Sequence, residues 1–170
     1  MQELPALGRT LVVGRRTNVL LGNDSLLYLP ENVTQAARQR GQLFMPYAED
    51  YFFIAFNDFP WHLVEDVVVG RPAYDNYLVA LAIQQNVAVV DATDTILAFH
   101  QTDYEGNWAG SRNVDNEFNE IAIGRQFDYT SGSTTSAQYV TRFIANVSGG
   151  GKKVTVQRRI SRWFWLWPWP

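Results

Sequence analysis

Three residues in the middle of the chain are of types that perform chemistry in enzymes: Gly70, Asp75 and His100. A glycine that follows an apolar run, as Gly70 does, lets the backbone take a positive φ and approach a ligand closely. Asp75 stands where a helix is expected to begin, and a carboxylate with a raised pKa can accept a proton from a hydroxyl group. A turn glycine and a helix-capping aspartate would leave the same pattern, so both interpretations stay open here.

His100 follows the apolar run 96–99 and is next to Gln101 and Asp103. A neutral imidazole at a strand end can bind a divalent cation, and a nearby carboxylate can orient it. A lone histidine is equally compatible with a structural role. The chain has no cysteine, which excludes disulfides, thiolate metal sites and cysteine nucleophiles.

Arg15, Arg16 and Arg71 are candidate phosphate ligands. The planar guanidinium group matches the geometry of phosphate oxygens, so a diphosphate is one expected ligand; surface ion pairs are the alternative. The motifs of several other enzyme classes are missing, because the sequence contains no Walker loop and no GxGxxG, GxSxG or HExxH pattern.

Short strands and helices alternate along the chain and must position these residues. Hydrophobic spacing predicts strands at 11–13, 50–56, 67–69, 87–90, 96–99 and 139–147. It predicts helices at 30–40, 72–85 and 117–123, each followed by a stop signal at Gly41, Asn86 or Gly124. We therefore expect an α/β fold with a small mixed sheet and flanking helices.

The order of these segments resembles the second half of a GT-A-type glycosyltransferase. The family is the nucleotide-diphospho-sugar transferase superfamily, in a branch with the motif GRPxxDN, which stands here as GRPAYDN at 70–76. The other segments that carry the resemblance are VGRRTNV at 13–19, DYFFI at 50–54, VVDAT at 89–93 and FHQTDY at 99–104. The similarity covers about residues 8 to 125 and implies the acceptor-side half of a GT-A fold.

The resemblance implies transfer of a sugar from a nucleotide-sugar donor to a glycan acceptor, with Mn²⁺ or Mg²⁺. It makes Asp75 the base and His100 a metal ligand. The residues that it places near substrate are Gly70, Arg71, Asn76, Arg15 and Arg16. It also implies an Asp-x-Asp strand before Gly14, which this sequence does not contain. We therefore expect a fragment, a degenerate form, or a chain completed by a partner.

The C-terminal segment differs from the rest in charge and in aromatic content. All 17 acidic residues precede residue 129, whereas five of the 14 lysines and arginines follow Gly151. We therefore expect an α/β domain at 1–148 and a Gly-rich break with a basic tail at 149–170. The tail residues expected to contact a partner or a membrane are Arg159, Arg162, Trp163, Trp165, Trp167 and Trp169.

Three roles stay open for this tail: a protein partner, an anionic membrane surface, or packing on the domain itself. Nucleic acid is not an expected partner, because the acidic domain repels phosphate. The alternative function is therefore a non-catalytic assembly subunit that docks through its tail. No signal peptide and no apolar run of about 20 residues is present, so we expect a cytoplasmic or organelle-peripheral location rather than secretion.

Overall fold

The computed structural model describes residues 7–20, 30–102, 114–145 and 151–160. Within them it contains seven strands and three α-helices, which confirms the expected α/β class with a mixed sheet. The strands are β1 (Thr10–Leu20), β2 (Gln42–Leu43), β3 (Glu49–Ile54), β4 (Ala88–Asp91), β5 (Ala98–Thr102), β6 (Tyr139–Ala145) and β7 (Lys152–Arg158). The helices are α1 (Pro30–Arg40), α2 (Tyr74–Gln84) and α3 (Phe118–Ile123).

Strand β1 organises the sheet, because it has different neighbours along its two halves. Its first half pairs with β4 in parallel and with β3 in antiparallel orientation. Its second half pairs with β5 in parallel and with β2 in antiparallel orientation. Strand β4 continues the sheet to β6 in parallel, and β6 pairs with β7 in antiparallel orientation.

The sequence predicted that Gly14 ends the first strand. In the structure, Gly14 lies within β1. It stands opposite Tyr51 of β3, and a Cβ at this position would overlap the Tyr51 ring and hydroxyl. The glycine therefore lets a tyrosine ring lie against the strand. The predicted strand 11–13 was too short because this glycine serves packing rather than a turn.

The main core forms where α2 packs on the sheet. Six consecutive residues of the helix, 77–82, are buried, so nearly its whole circumference is apolar. All of them except Ala80 pack with Leu11 and Val13 of β1 and Val89 of β4. Each leucine or valine among them contributes roughly 1.5–3 kcal/mol when fully buried. A smaller core lies between α1 and Val19 in the second half of β1.

Two strands predicted next to site residues differ from those in the structure. Residues 67–69 do not form a strand; Val69 is 73% exposed, and the segment belongs to a turn. The strand predicted at 96–99 is β5, at Ala98–Thr102, so His100 lies in its middle and not at its end.

The largest difference lies in the segment expected to be a tail. Residues Lys152–Arg158 form β7, which pairs with β6 along the whole strand, from Tyr139 opposite Arg158 to Ala145 opposite Lys152. Val154 and Val156 alternate with polar residues, the period-two pattern of a strand. The sheet therefore extends well beyond residue 148. Trp163, Trp165, Trp167, Trp169 and Arg162 lie outside the described residues.

None of the helices in the described ranges is both long and apolar enough to cross a membrane.

Candidate functional site

The first turn of α2 and the turn before it contain four of the predicted site residues: Gly70, Arg71, Asp75 and Asn76. Gly70 has a φ of 80°, as its turn position predicted, and Ala73 has a φ of 70° directly before the helix. A positive φ is unusual for alanine, and such a conformation costs about 1 kcal/mol or more. The helix then begins at Tyr74, so Asp75 lies in its first turn, where the sequence predicted it.

Asp75 connects this helix to β3. Its Oδ2 accepts a hydrogen bond of 3.1 Å from the main-chain N–H of Glu49, the first residue of β3. Burial raises the pKa of Asp75 above its ordinary value, and the charge of Asp50 acts in the same direction. The main-chain N–H groups of Asp75, Glu49 and Asn76 oppose that shift. Asp75 is intermediate in exposure.

Glu49 is a second carboxyl group at the same place, and sequence reasoning did not find it. The residue is 5% exposed, and neither carboxyl oxygen has a hydrogen-bond partner among the described residues. Burial, then the charge of Asp75, raises the pKa of Glu49 to about 8, while the amides of Glu49 and Thr134 partly oppose the shift. Glu49 stands at a β-bulge, where the register between β1 and β3 shifts.

Asn76 holds two loops against α2. Its amide nitrogen donates to the carbonyls of Tyr47 at 3.0 Å and Gly132 at 2.7 Å. Gly132 belongs to a hydroxyl-rich loop (residues 130–136), and a Cβ there would overlap the backbone of Asn76. Thr134 of the same loop donates through both its hydroxyl and its N–H to the carbonyl of Pro46, at 2.9 Å each. Asn76, a predicted substrate contact, therefore holds the walls around the two carboxyl groups.

Asn119 of α3 is another functional position that the sequence did not reveal. It is fully buried and binds the turn before α2, accepting from the N–H of Val68 at 2.7 Å. Its amide nitrogen lies 2.9 Å from the carbonyl of Val68, 3.4 Å from that of Arg71 and 3.0 Å from that of Pro72. One side chain therefore fixes the shape of the Gly70 turn.

The three predicted phosphate-binding arginines differ in their surroundings. The Arg15 guanidinium donates from Nε to the Phe44 carbonyl at 2.7 Å and also contacts it through Nη2. Arg16 forms an ion pair with Asp50 at 2.7 Å and lies 4.2 Å from the centre of the Phe44 ring. The Arg71 side chain makes no hydrogen bond or ion pair within the described parts of the chain, and Gly70 beside it has open space where a Cβ would be.

A second polar cluster surrounds Asp91 at the end of β4. Arg159 donates to Asp91 Oδ2 at 2.8 Å and to the carbonyls of Ala137 and Thr134, both at 3.0 Å. Asp91 Oδ1 accepts from the N–H of Thr93 at 3.0 Å. Arg159, predicted to contact a partner or a membrane, thus directs its side chain into the sheet's own polar cluster.

Tyr51 lies near the same aspartate. Its hydroxyl is buried without a hydrogen-bond partner in the described structure, and burial together with the charge of Asp91 raises the pKa of the phenol. The Tyr51 hydroxyl therefore stays protonated at ordinary pH.

His100 offers one potential metal ligand. Its Nδ1 is buried without a partner among the described residues, and its backbone is opposite Asn18 of β1. In those residues, no group of three or more histidine, aspartate or glutamate side chains lies close enough to hold a metal ion. Asp103, the neighbouring carboxylate, lies outside the described residues. His100 alone does not fit Mg²⁺ or Mn²⁺, which take several oxygen ligands.

Comparisons with family models, with curated proteins and with solved structures find no match for this chain.

Proposed function

We propose that this protein transfers a sugar from a nucleotide-sugar donor to a hydroxyl of a glycan acceptor, as the resemblance to GT-A glycosyltransferases implies. One observation carries the proposal: a partly exposed aspartate with a raised pKa, Asp75, lies in the first turn of α2 beside the open Gly70 turn. Such a transfer needs a base within reach of the acceptor hydroxyl.

The role of Asp75 in this reaction is to take the proton of the acceptor hydroxyl. The acceptor oxygen forms a bond to the anomeric carbon as the bond from that carbon to the diphosphate oxygen breaks, and the nucleoside diphosphate leaves. The proton passes to the Asp75 carboxylate. Burial supports this role, because it raises the carboxyl pKa toward the range in which a base is effective at neutral pH.

Arg71 is the arginine that we assign to the diphosphate. It follows the Gly70 turn, and its side chain makes no bond to another described residue. Arg15 and Arg16 would first have to give up contacts to Phe44 and Asp50. In GT-A enzymes, a metal ion neutralises the diphosphate. Among the predicted metal ligands, the described residues include His100 alone, so we assign no step to a metal.

The alternative function is a non-catalytic assembly subunit. The commitment of Arg15 and Arg16 to contacts within the chain favours it, since two of the three candidate phosphate ligands are already occupied. On this alternative, the Asp75 carboxylate would connect α2 to β3 and bind no substrate.

Calorimetric titration with UDP and GDP, with and without Mn²⁺, separates these two functions. We expect micromolar binding by the wild type, at least tenfold weaker binding by Arg71→Ala, and no change in Arg125→Ala, which alters an exposed arginine. His100→Ala tests whether any Mn²⁺ dependence arises at that residue. Absence of binding at millimolar nucleotide would reject the transferase and support the subunit.

A further inference from the structure

The geometry points to a second acidic residue in the reaction: we infer that Glu49 and Asp75 form a carboxyl pair that holds one proton between them. This inference rests on the proposed function and deepens it. The proposed function assigns the base to Asp75 alone, whereas here Glu49 and Asp75 together act as the base.

The position of Glu49 is the first support. Its main chain is bound to the Asp75 carboxylate at 3.1 Å, so the two residues are held in a fixed relation between β3 and α2. Glu49 is 5% exposed and both of its carboxyl oxygens are buried, yet neither oxygen has a hydrogen-bond partner in the described structure. A charged carboxylate in that situation would bear a large desolvation cost, whereas a protonated one bears far less.

The charged groups around Glu49 are the second support. Asp75 faces it from α2 and Asp50 from β3, and both charges disfavour a second negative charge. The hydroxyl-rich loop contributes the amide of Thr134. The nearest basic side chains on β1 are engaged elsewhere, Arg15 with the Phe44 carbonyl and Arg16 with Asp50. Among the described residues, the charges that act on the Glu49 pKa are those of Asp75 and Asp50, both negative, and like charges in one site are expected to retain a proton.

The pair gives the reaction a complete proton balance. Before transfer, the pair carries one proton and one negative charge, with the proton on Glu49 and the charge on the more exposed Asp75. The acceptor hydroxyl proton then moves to Asp75, so both groups are neutral while the nucleoside diphosphate leaves. One proton returns to solvent after the products dissociate. Glu49 does not touch the substrate in this scheme; it is a positioning residue that sets the protonation state of Asp75.

Carboxyl ¹³C NMR titration of the full chain tests the pair without any substrate. We compare the wild type, Glu49→Gln, Asp75→Asn and the control Glu65→Gln, which changes an exposed glutamate. We expect one glutamate carboxyl signal to titrate with a pKa far above the ordinary range, and we expect this signal to be missing in Glu49→Gln. We expect Asp75→Asn to lower the pKa of Glu49 by about one pH unit or more, because a like charge is lost.

Each result decides one question. If Glu49 titrates in the ordinary glutamate range, or if Asp75→Asn leaves its pKa unchanged, the pair does not exist. If the coupled titration is observed but no nucleotide binds and no sugar is transferred, the pair stands and the proposed function is rejected. The two variants are isosteric, and the dispersion of the amide spectrum of each reports whether it is folded.

Discussion

The main-chain N–H of Glu49 donates a 3.1 Å hydrogen bond to Asp75 Oδ2, so the start of β3 and the first turn of α2 are held together. The next two residues of the helix extend the same function. Asn76 binds the carbonyls of Tyr47 and Gly132, and the Tyr77 hydroxyl donates to the carbonyl of Leu63 at 3.1 Å. Three consecutive side chains of α2 therefore hold the segments around the carboxyl groups of Glu49 and Asp75.

Replacement of Glu49 by glutamine is expected to change how stability depends on pH. The folded state holds the Glu49 proton up to a pKa of about 8, whereas the unfolded chain loses it near 4.5. Between these values the native state binds more protons, so the free energy of unfolding falls as pH rises, by up to about 1.4 kcal/mol per pH unit. Asp75, whose pKa is also raised, contributes in the same direction.

Urea unfolding from pH 4 to pH 9 measures this dependence. In Glu49→Gln, the free energy of unfolding is expected to change less with pH between pH 5 and pH 8. The variant is expected to gain most stability relative to the wild type at the alkaline end. The matched variant Glu65→Gln is expected to retain the wild-type slope. Equal slopes for wild type and Glu49→Gln would contradict a protonated Glu49.

Asn119→Ala is expected to destabilise the fold, because it removes a fully buried side chain whose amide binds the main-chain groups of the Val68–Pro72 turn. Removal of one partner from a buried hydrogen bond costs about 1–3 kcal/mol, and this side chain serves several. We expect a loss of at least about 2 kcal/mol in urea unfolding. Asn57→Ala, in an exposed turn, is the control and is expected to change stability by less than about 0.5 kcal/mol. Similar losses for both variants would show that Asn119 does not hold the turn.

Gly14→Ala tests the contact between β1 and Tyr51. The added methyl group would overlap the Tyr51 ring and hydroxyl, and overpacking of this kind costs about 1–3 kcal/mol. Gly151→Ala, which adds a methyl group in open space, is the matched control. Combination with Tyr51→Ala is expected to recover part of the loss, since the overlapping ring is removed. Strictly additive losses in the double variant would argue against this contact.

Arg159→Ala is expected to weaken the attachment of the end of β7 to the sheet. The side chain donates to Asp91 and to two carbonyls, and it is 32% exposed, so solvent screening limits the loss to about 1–2 kcal/mol. Arg158→Ala changes the adjacent exposed arginine and is expected to have little effect. Thermal unfolding compares the two. An equal effect of both variants would mean that the Asp91 cluster does not anchor β7.

The sequence was most informative where a proline or a glycine marks the end of a helix. The helix predicted at 30–40 and the one at 117–123 agree with α1 and α3, because Pro30, Gly41 and Gly124 define helix ends locally. The positive φ of Gly70 was likewise predictable from its place in the chain. The α/β class followed from the alternation of these elements.

Features that depend on distant contacts were not predictable. Residues 67–69 form an apolar run typical of a strand, but the side chain of Asn119, about 50 residues away, holds their polar groups in a turn. The β7 strand exists because β6 provides a partner along its whole length. The sequence around Glu49 is typical of a surface charge, and its burial and its proximity to Asp75 and the Thr134 amide arise only in the folded chain.

The most direct test of the account is sugar transfer by the wild type and by Asp75→Asn, followed as release of UDP or GDP from a panel of UDP- and GDP-sugars with simple glycan acceptors. The account predicts release by the wild type, a loss of about 100-fold or more in kcat for Asp75→Asn, and unchanged nucleotide affinity. Glu65→Gln should match the wild type. Absence of release by the wild type with every donor, or equal kcat in Asp75→Asn, would contradict the account.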